Sequence, residues 1–71
     1  MSEEVGRALA AALRALQERT MFFNRMADRA ADAQNQILVK RYRGLAGDTS
    51  HHARMIRDLM VQQVRAGARV S

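Results

Sequence analysis

The sequence predicts an all-α protein: a long antiparallel two-helix hairpin that pairs with a second hairpin into a four-helix bundle. Three observations carry that expectation. Apolar residues recur at steps of four and three through two long stretches, which places them on one helical face in each. The 71 residues include no proline and only four glycines, a composition that argues against a β-sandwich, a knottin or a proline-rich linker. The two stretches are separated by one short polar segment, Asp32 to Asn35, with the residues that turns and helix caps favour.

Helix 1 is expected over about residues 2–32. Val5, Leu9, Ala12, Leu16, Phe23, Met26, Ala30 and Ala33 form its stripe, interrupted near Arg19 and Thr20, and Leu13, Phe22 and Ala27 widen it. Ser2 is a natural N-cap, and Glu3 and Glu4 suit the positive end of the helix dipole. Asp32 or Asn35 is expected to cap helix 2, over about residues 35–67. There Leu38, Tyr42, Leu45, Thr49, His52, Ile56, Leu59 and Gln63 keep the alternation without a slip. Gly44 and Gly47 weaken a helix, so a break near Gly44–Ser50 giving three helices is the alternative. The unshifted phase across both glycines favours one continuous helix.

Each helix would be roughly 45 Å long, and a short connection makes them antiparallel neighbours. One chain is one small domain, residues 1–71, and a core of this size rarely supplies more than about 3–5 kcal/mol. A hairpin also leaves part of its apolar stripe uncovered. A homodimer or higher homo-oligomer is therefore expected, with Leu9, Leu16, Phe23, Met26, Leu38, Tyr42, Leu45, Ile56 and Leu59 forming core and interface. Thr49 and His52 break the stripe. Folding the chain back near residue 33 sets Leu16, Arg19 and Thr20 opposite them, which predicts one semi-polar layer at mid-bundle.

The net charge of +5 is uneven. Residues 1–32 balance Arg7, Arg14, Arg19, Arg25 and Arg29 against Glu3, Glu4, Glu18, Asp28 and Asp32. Beyond them, Lys40, Arg41, Arg43, Arg54, Arg57, Arg65 and Arg69 face only Asp48 and Asp58. Lys40, Arg43, Arg54 and Arg57 make helix 2 a basic face that suits an acidic protein partner, with nucleic acid as a lower-ranked possibility because the three aromatic residues lie with the core stripe. No apolar run approaches the ~20 residues of a membrane span, and Met-Ser-Glu-Glu lacks the pattern of a secretion signal. A cytoplasmic chain with no membrane partner is expected. Cysteine is absent, which removes disulfides and thiolate chemistry. Gly44-Leu45-Ala46-Gly47 lacks the Lys-Ser or Lys-Thr of a phosphate loop, and Met21, Met26, Met55 and Met60 read as packing residues.

Phe23, Ala27 and Ala30 on the first helix, then Tyr42, Ala46, His52 and Ala53 on the second, resemble the ferritin-like superfamily, in particular rubrerythrins and two-helix encapsulated ferritins. The resemblance covers Phe22 to Leu59 and implies a four-helix bundle. That family holds two irons between glutamates and a Glu-x-x-His pair. Here Thr49 stands at the glutamate before His52, and Leu16 at the facing glutamate, so ferroxidase-type catalysis is not expected. No cofactor is predicted from the retained positions. Glu18, Asp48 and His51, one residue out of phase, form an alternative iron site, and the adjacent His51-His52 pair suits zinc. The leading expectation is a non-catalytic, self-associating helical module, followed by an iron-binding protein and then a nucleic-acid-binding hairpin dimer.

Overall fold

The computed structural model describes residues 2–70, with side chains through Ala68; Met1 and Ser71, and the side chain of Arg69 counted above in the basic half, lie outside the described residues. Two helices account for the fold, α1 (Glu3–Asp32) and α2 (Gln36–Val70). α2 passes through Gly44 and Gly47 without interruption, so the two-helix form holds and the break near Gly44–Ser50 does not occur. It also runs three residues beyond the expected end at 67.

The caps show why the chain turns where it does. Ser2 is extended, and its Oγ accepts from the backbone N–H of Val5 at 3.1 Å. At the other end of α1, Gln34 takes φ 58°, the left-handed region, while the N–H groups of Gln34 and Asn35 donate to Ala31 and Ala30 at 2.9 and 2.8 Å. This pattern satisfies carbonyls that a helix end leaves orphaned. Asn35 then starts α2: its Oδ1 accepts from Leu38 N–H at 3.2 Å and its carbonyl from Val39 N–H at 3.0 Å. Of the two expected caps, Asn35 serves. One residue thus closes one helix and opens the next.

The helices pack along their length into a rod of 56 × 16 × 11 Å. Its radius of gyration is 16.3 Å, against about 11 Å for a globular chain of this length. The seam between the helices is built from small residues. Ala27, Ala30, Ala46, Ala53 and Thr49 are the buried residues, and no large side chain among the described residues is fully enclosed. On α1 the seam runs Leu9, Leu13, Leu16, Thr20, Phe23, Ala27, Ala30; on α2 it runs Tyr42, Ala46, Thr49, Ala53, Ile56, Met60. Both alternate steps of four and three. Phe23 stacks on Tyr42 with ring centroids 6.4 Å apart, next to the alanines.

This seam corrects the expected stripe. Leu9, Leu16, Phe23, Tyr42 and Ile56 do enter it, half-buried, while Leu38, Leu45, Leu59 and His52 are exposed on the single chain. Leu45, His52 and Leu59 each precede a seam position by one residue, and Leu38 lies seven residues before Leu45. Tyr42, Thr49 and Ile56 of the expected stripe lie in the seam, and the small residues Ala27, Ala30, Ala46 and Ala53, which permit close helix approach, are its buried positions. The semi-polar layer is likewise narrower than expected. Thr20 and Thr49 face each other with their hydroxyls 2.7 Å apart, but Arg19 and His52 point outside. Thr20 Oγ1 lies 2.9 Å from the Leu16 carbonyl, and Thr49 Oγ1 lies 3.2 Å from those of Leu45 and Ala46. Two hydroxyls supply two protons, so one bridges the seam and the other donates to its own helix. The layer is satisfied without the histidine.

Candidate functional site: the two flanks of the hairpin

With the seam fixed, every other position belongs to one flank or to the outer surface. Asn24 follows Phe23 and Arg43 follows Tyr42, and these two side chains meet: Arg43 donates to Asn24 Oδ1 at 3.1 Å and to Asp28 Oδ1 at 3.0 Å. They define a polar flank. Residues that precede Ala27 and Ala46, namely Met26 and Leu45, must then lie on the opposite flank.

That opposite flank is apolar. It repeats every seven residues: Val5, Ala12, Met26 on α1 and Leu38, Leu45, Leu59 on α2. Leu38, Leu45 and Leu59 are 37, 36 and 44% exposed, large for leucines one residue from a packed seam. Two polar positions, Arg19 and His52, interrupt this flank at mid-length, level with the threonine pair. Near the turn, Phe22, Met26 and the stems of Arg25 and Arg29 line a shallow depression of about 360 Å³.

The polar flank is basic. It carries Arg43, Arg54 and Arg57 with Lys40. Arg43 is held by Asp28; the other three have no ion pair among the described residues. Two depressions open on this flank towards the far end of the hairpin. One of about 440 Å³ is lined by Gln17, Thr20, Ser50, Arg54 and Arg57 among others. The next, about 410 Å³, is lined by Leu13, Arg57, Met60, Val61, Val64 and Arg65.

The residues considered for metal are dispersed. Glu18, Asp48, His51 and His52 are all exposed, and no group of three His, Asp or Glu side chains among the described residues is close enough to hold a metal ion. The hairpin therefore does not bring Glu18, Asp48 and His51 together. His51 and His52 are ring neighbours at 5.9 Å, tilted by 50°, without a carboxylate beside them that completes a site. No described helix is long and apolar enough to cross a membrane. Sequence reasoning missed Arg14, Val61 and Val64 as functional residues; counting seven on from Arg54 and Arg57 places the two valines along the basic flank. No protein-family model, no curated protein and no solved structure matches this chain.

Proposed function

We propose that this chain is a non-catalytic structural module. Its hairpins self-associate through the Met26, Leu38, Leu45, Leu59 flank into a ferritin-like four-helix bundle, leaving the basic face of α2 outward for a partner. The observation that supports this reading is the mismatch between seam and flank: the buried positions are alanines and a threonine, while Leu38, Leu45 and Leu59 are exposed and aligned with half-buried Met26. Fully burying one such side chain contributes about 1.5–3 kcal/mol. Four from each of two chains, at half that value, contribute about 6–12 kcal/mol, the scale of the roughly 4–15 kcal/mol that association costs. Arg19 and His52 at the middle of the flank then act as a register mark, since a polar layer tolerates only alignments that give it solvent or partners.

Sedimentation equilibrium and native mass spectrometry of the untagged protein test this directly. A dimer or a multiple of it is expected, and Leu45→Glu with Leu59→Glu should return it to a monomer of reduced helicity. A wild-type chain that stays monomeric throughout the micromolar range overturns the proposal. Integral iron or zinc retained after addition of Fe²⁺ or Zn²⁺ would put the iron-binding reading through Glu18, Asp48 and His51 in its place.

A further inference from the structure

The basic flank changes character along its length. Near the turn, Arg43 is neutralised by Asp28. Two heptads further from the turn, Arg14 occupies the place of Asp28 on α1 and Arg57 the place of Arg43 on α2. A position that holds an ion pair at one end thus holds two like charges at the other. Among the described residues, Arg14, Arg54, Arg57 and Arg65 make no ion pair. Like charges so placed repel, and an incoming anionic group relieves them.

The surface beside these arginines is apolar. Leu13 and Met60 in the seam, with Val61 and Val64, floor the depression of about 410 Å³, and Arg57 and Arg65 stand at its sides. Val61 and Val64 are 43 and 63% exposed. Arg57 also borders the adjoining polar depression, so the two run on from one another between Ser50 and Arg65. That span is about fifteen residues of α2, roughly 22 Å, or four turns of a helix laid alongside.

We propose that this groove is the docking site for an acidic amphipathic helix of a partner protein, with aliphatic side chains against Leu13, Met60, Val61 and Val64 and carboxylates against Arg14, Arg54, Arg57 and Arg65. The proposal rests on the reading of α2 as the partner-facing helix and uses no residue of the self-association flank. Charge complementarity selects the occupant. A second copy of this chain has its apolar flank engaged in self-association and offers only seven acidic residues against twelve basic ones. A phosphodiester backbone answers the arginines but leaves four aliphatic side chains wet.

The test uses the full chain and a fluorescein-labelled synthetic peptide of about 18 residues, five helical turns, with leucine at i, i+3, i+4 and i+7 spacing and glutamate elsewhere. Fluorescence anisotropy should show saturable binding that a scrambled peptide of the same composition does not reproduce. Arg57→Glu and Val64→Asp should each weaken it about tenfold or more. Both positions are exposed, and circular dichroism checks that both variants remain helical. Leu45→Glu with Leu59→Glu reads out the other face: a monomer that still binds the peptide separates docking from self-association. Equal binding of the scrambled peptide overturns the proposal. So does binding indifferent to Val64→Asp, or a preference for duplex DNA or phosphatidylserine vesicles that only Arg57→Glu reduces.

Discussion

The half of the hairpin near the turn and the half away from it share one seam but are packed differently. From the turn to the threonine pair the seam is Ala27, Ala30 and Ala46, flanked by the Phe23–Tyr42 stack and tied by Arg43 to Asn24 and Asp28. Beyond Ala53 it passes to Leu9, Leu13, Ile56 and Met60, none of them fully covered, and grooves open at its side. Side-chain size explains the difference. Small residues let two helices bury their contact surface between themselves alone. Large ones spread that surface beyond what a single partner helix can cover. The tight half therefore specifies the hairpin, and the open half leaves apolar surface exposed beside the seam.

The strongest way to break this comparison is to enlarge the tight seam. Ala27→Leu or Ala46→Leu should each cost about 1–3 kcal/mol in urea unfolding, the usual penalty for overpacking, while Ala66→Leu on the exposed distal stretch should stay within about 0.5 kcal/mol of wild type. Equal effects would mean that the two halves are packed alike. The threonine pair marks the boundary. Thr49→Val alone should cost about 1–2 kcal/mol because it removes a cross-seam partner, and adding Thr20→Val should recover part of that loss; a double-mutant cycle measures the coupling.

Smaller effects sharpen the picture. A Cβ at Gly44 or Gly47 meets nothing within 4 Å, so Gly44→Ala and Gly47→Ala should each stabilise by about 0.8–1 kcal/mol in thermal unfolding. A loss instead would locate a partner chain on that outer surface. The smallest change converts one end of the basic flank into the other. Arg14→Glu, giving Arg57 a partner as Asp28 gives Arg43 one, should stabilise by about 0.2–1 kcal/mol at low salt and by nothing measurable at 1 M salt, where screening removes it. Denaturation midpoints at the two salt concentrations decide it.

Much of the fold was legible in the residues. Uninterrupted four-three spacing outweighed two glycines in α2, and the polar run before Gln36 located the turn and its cap. The seam itself was harder to read. Leu38, Leu45, Leu59 and His52 repeat in sevens as regularly as Ala46 and Ala53 do, and hydrophobicity favours the leucines. Ala27, Ala30, Ala46 and Ala53 are legible as small residues that permit close helix approach, and that geometry draws the seam through Ala46 and Ala53 in place of Leu45 and His52. His52 belongs to the exposed half of its stripe, while Thr49 belongs to the buried half. Glu18, Asp48 and His51, expected at the flank of the hairpin or at a subunit interface, are exposed and do not come together within one chain. Lys40, Arg43, Arg54 and Arg57 are legible as charge whatever the phase, whereas the apolar surface beside them became visible only when Leu13, Met60, Val61 and Val64 were placed in space.

The turn at Gln34 and Asn35 has a mechanical consequence. It returns the chain alongside itself, so the start of α1 and the end of α2 lie at the same pole of a 56 Å rod. Tension applied across those two ends would not shear the helices past one another. It would peel them apart layer by layer, through the loosely covered leucines first, until the fork reached the threonine bridge and the alanines behind it. The hairpin yields early and then resists, and its firmest contacts are the last to feel the load.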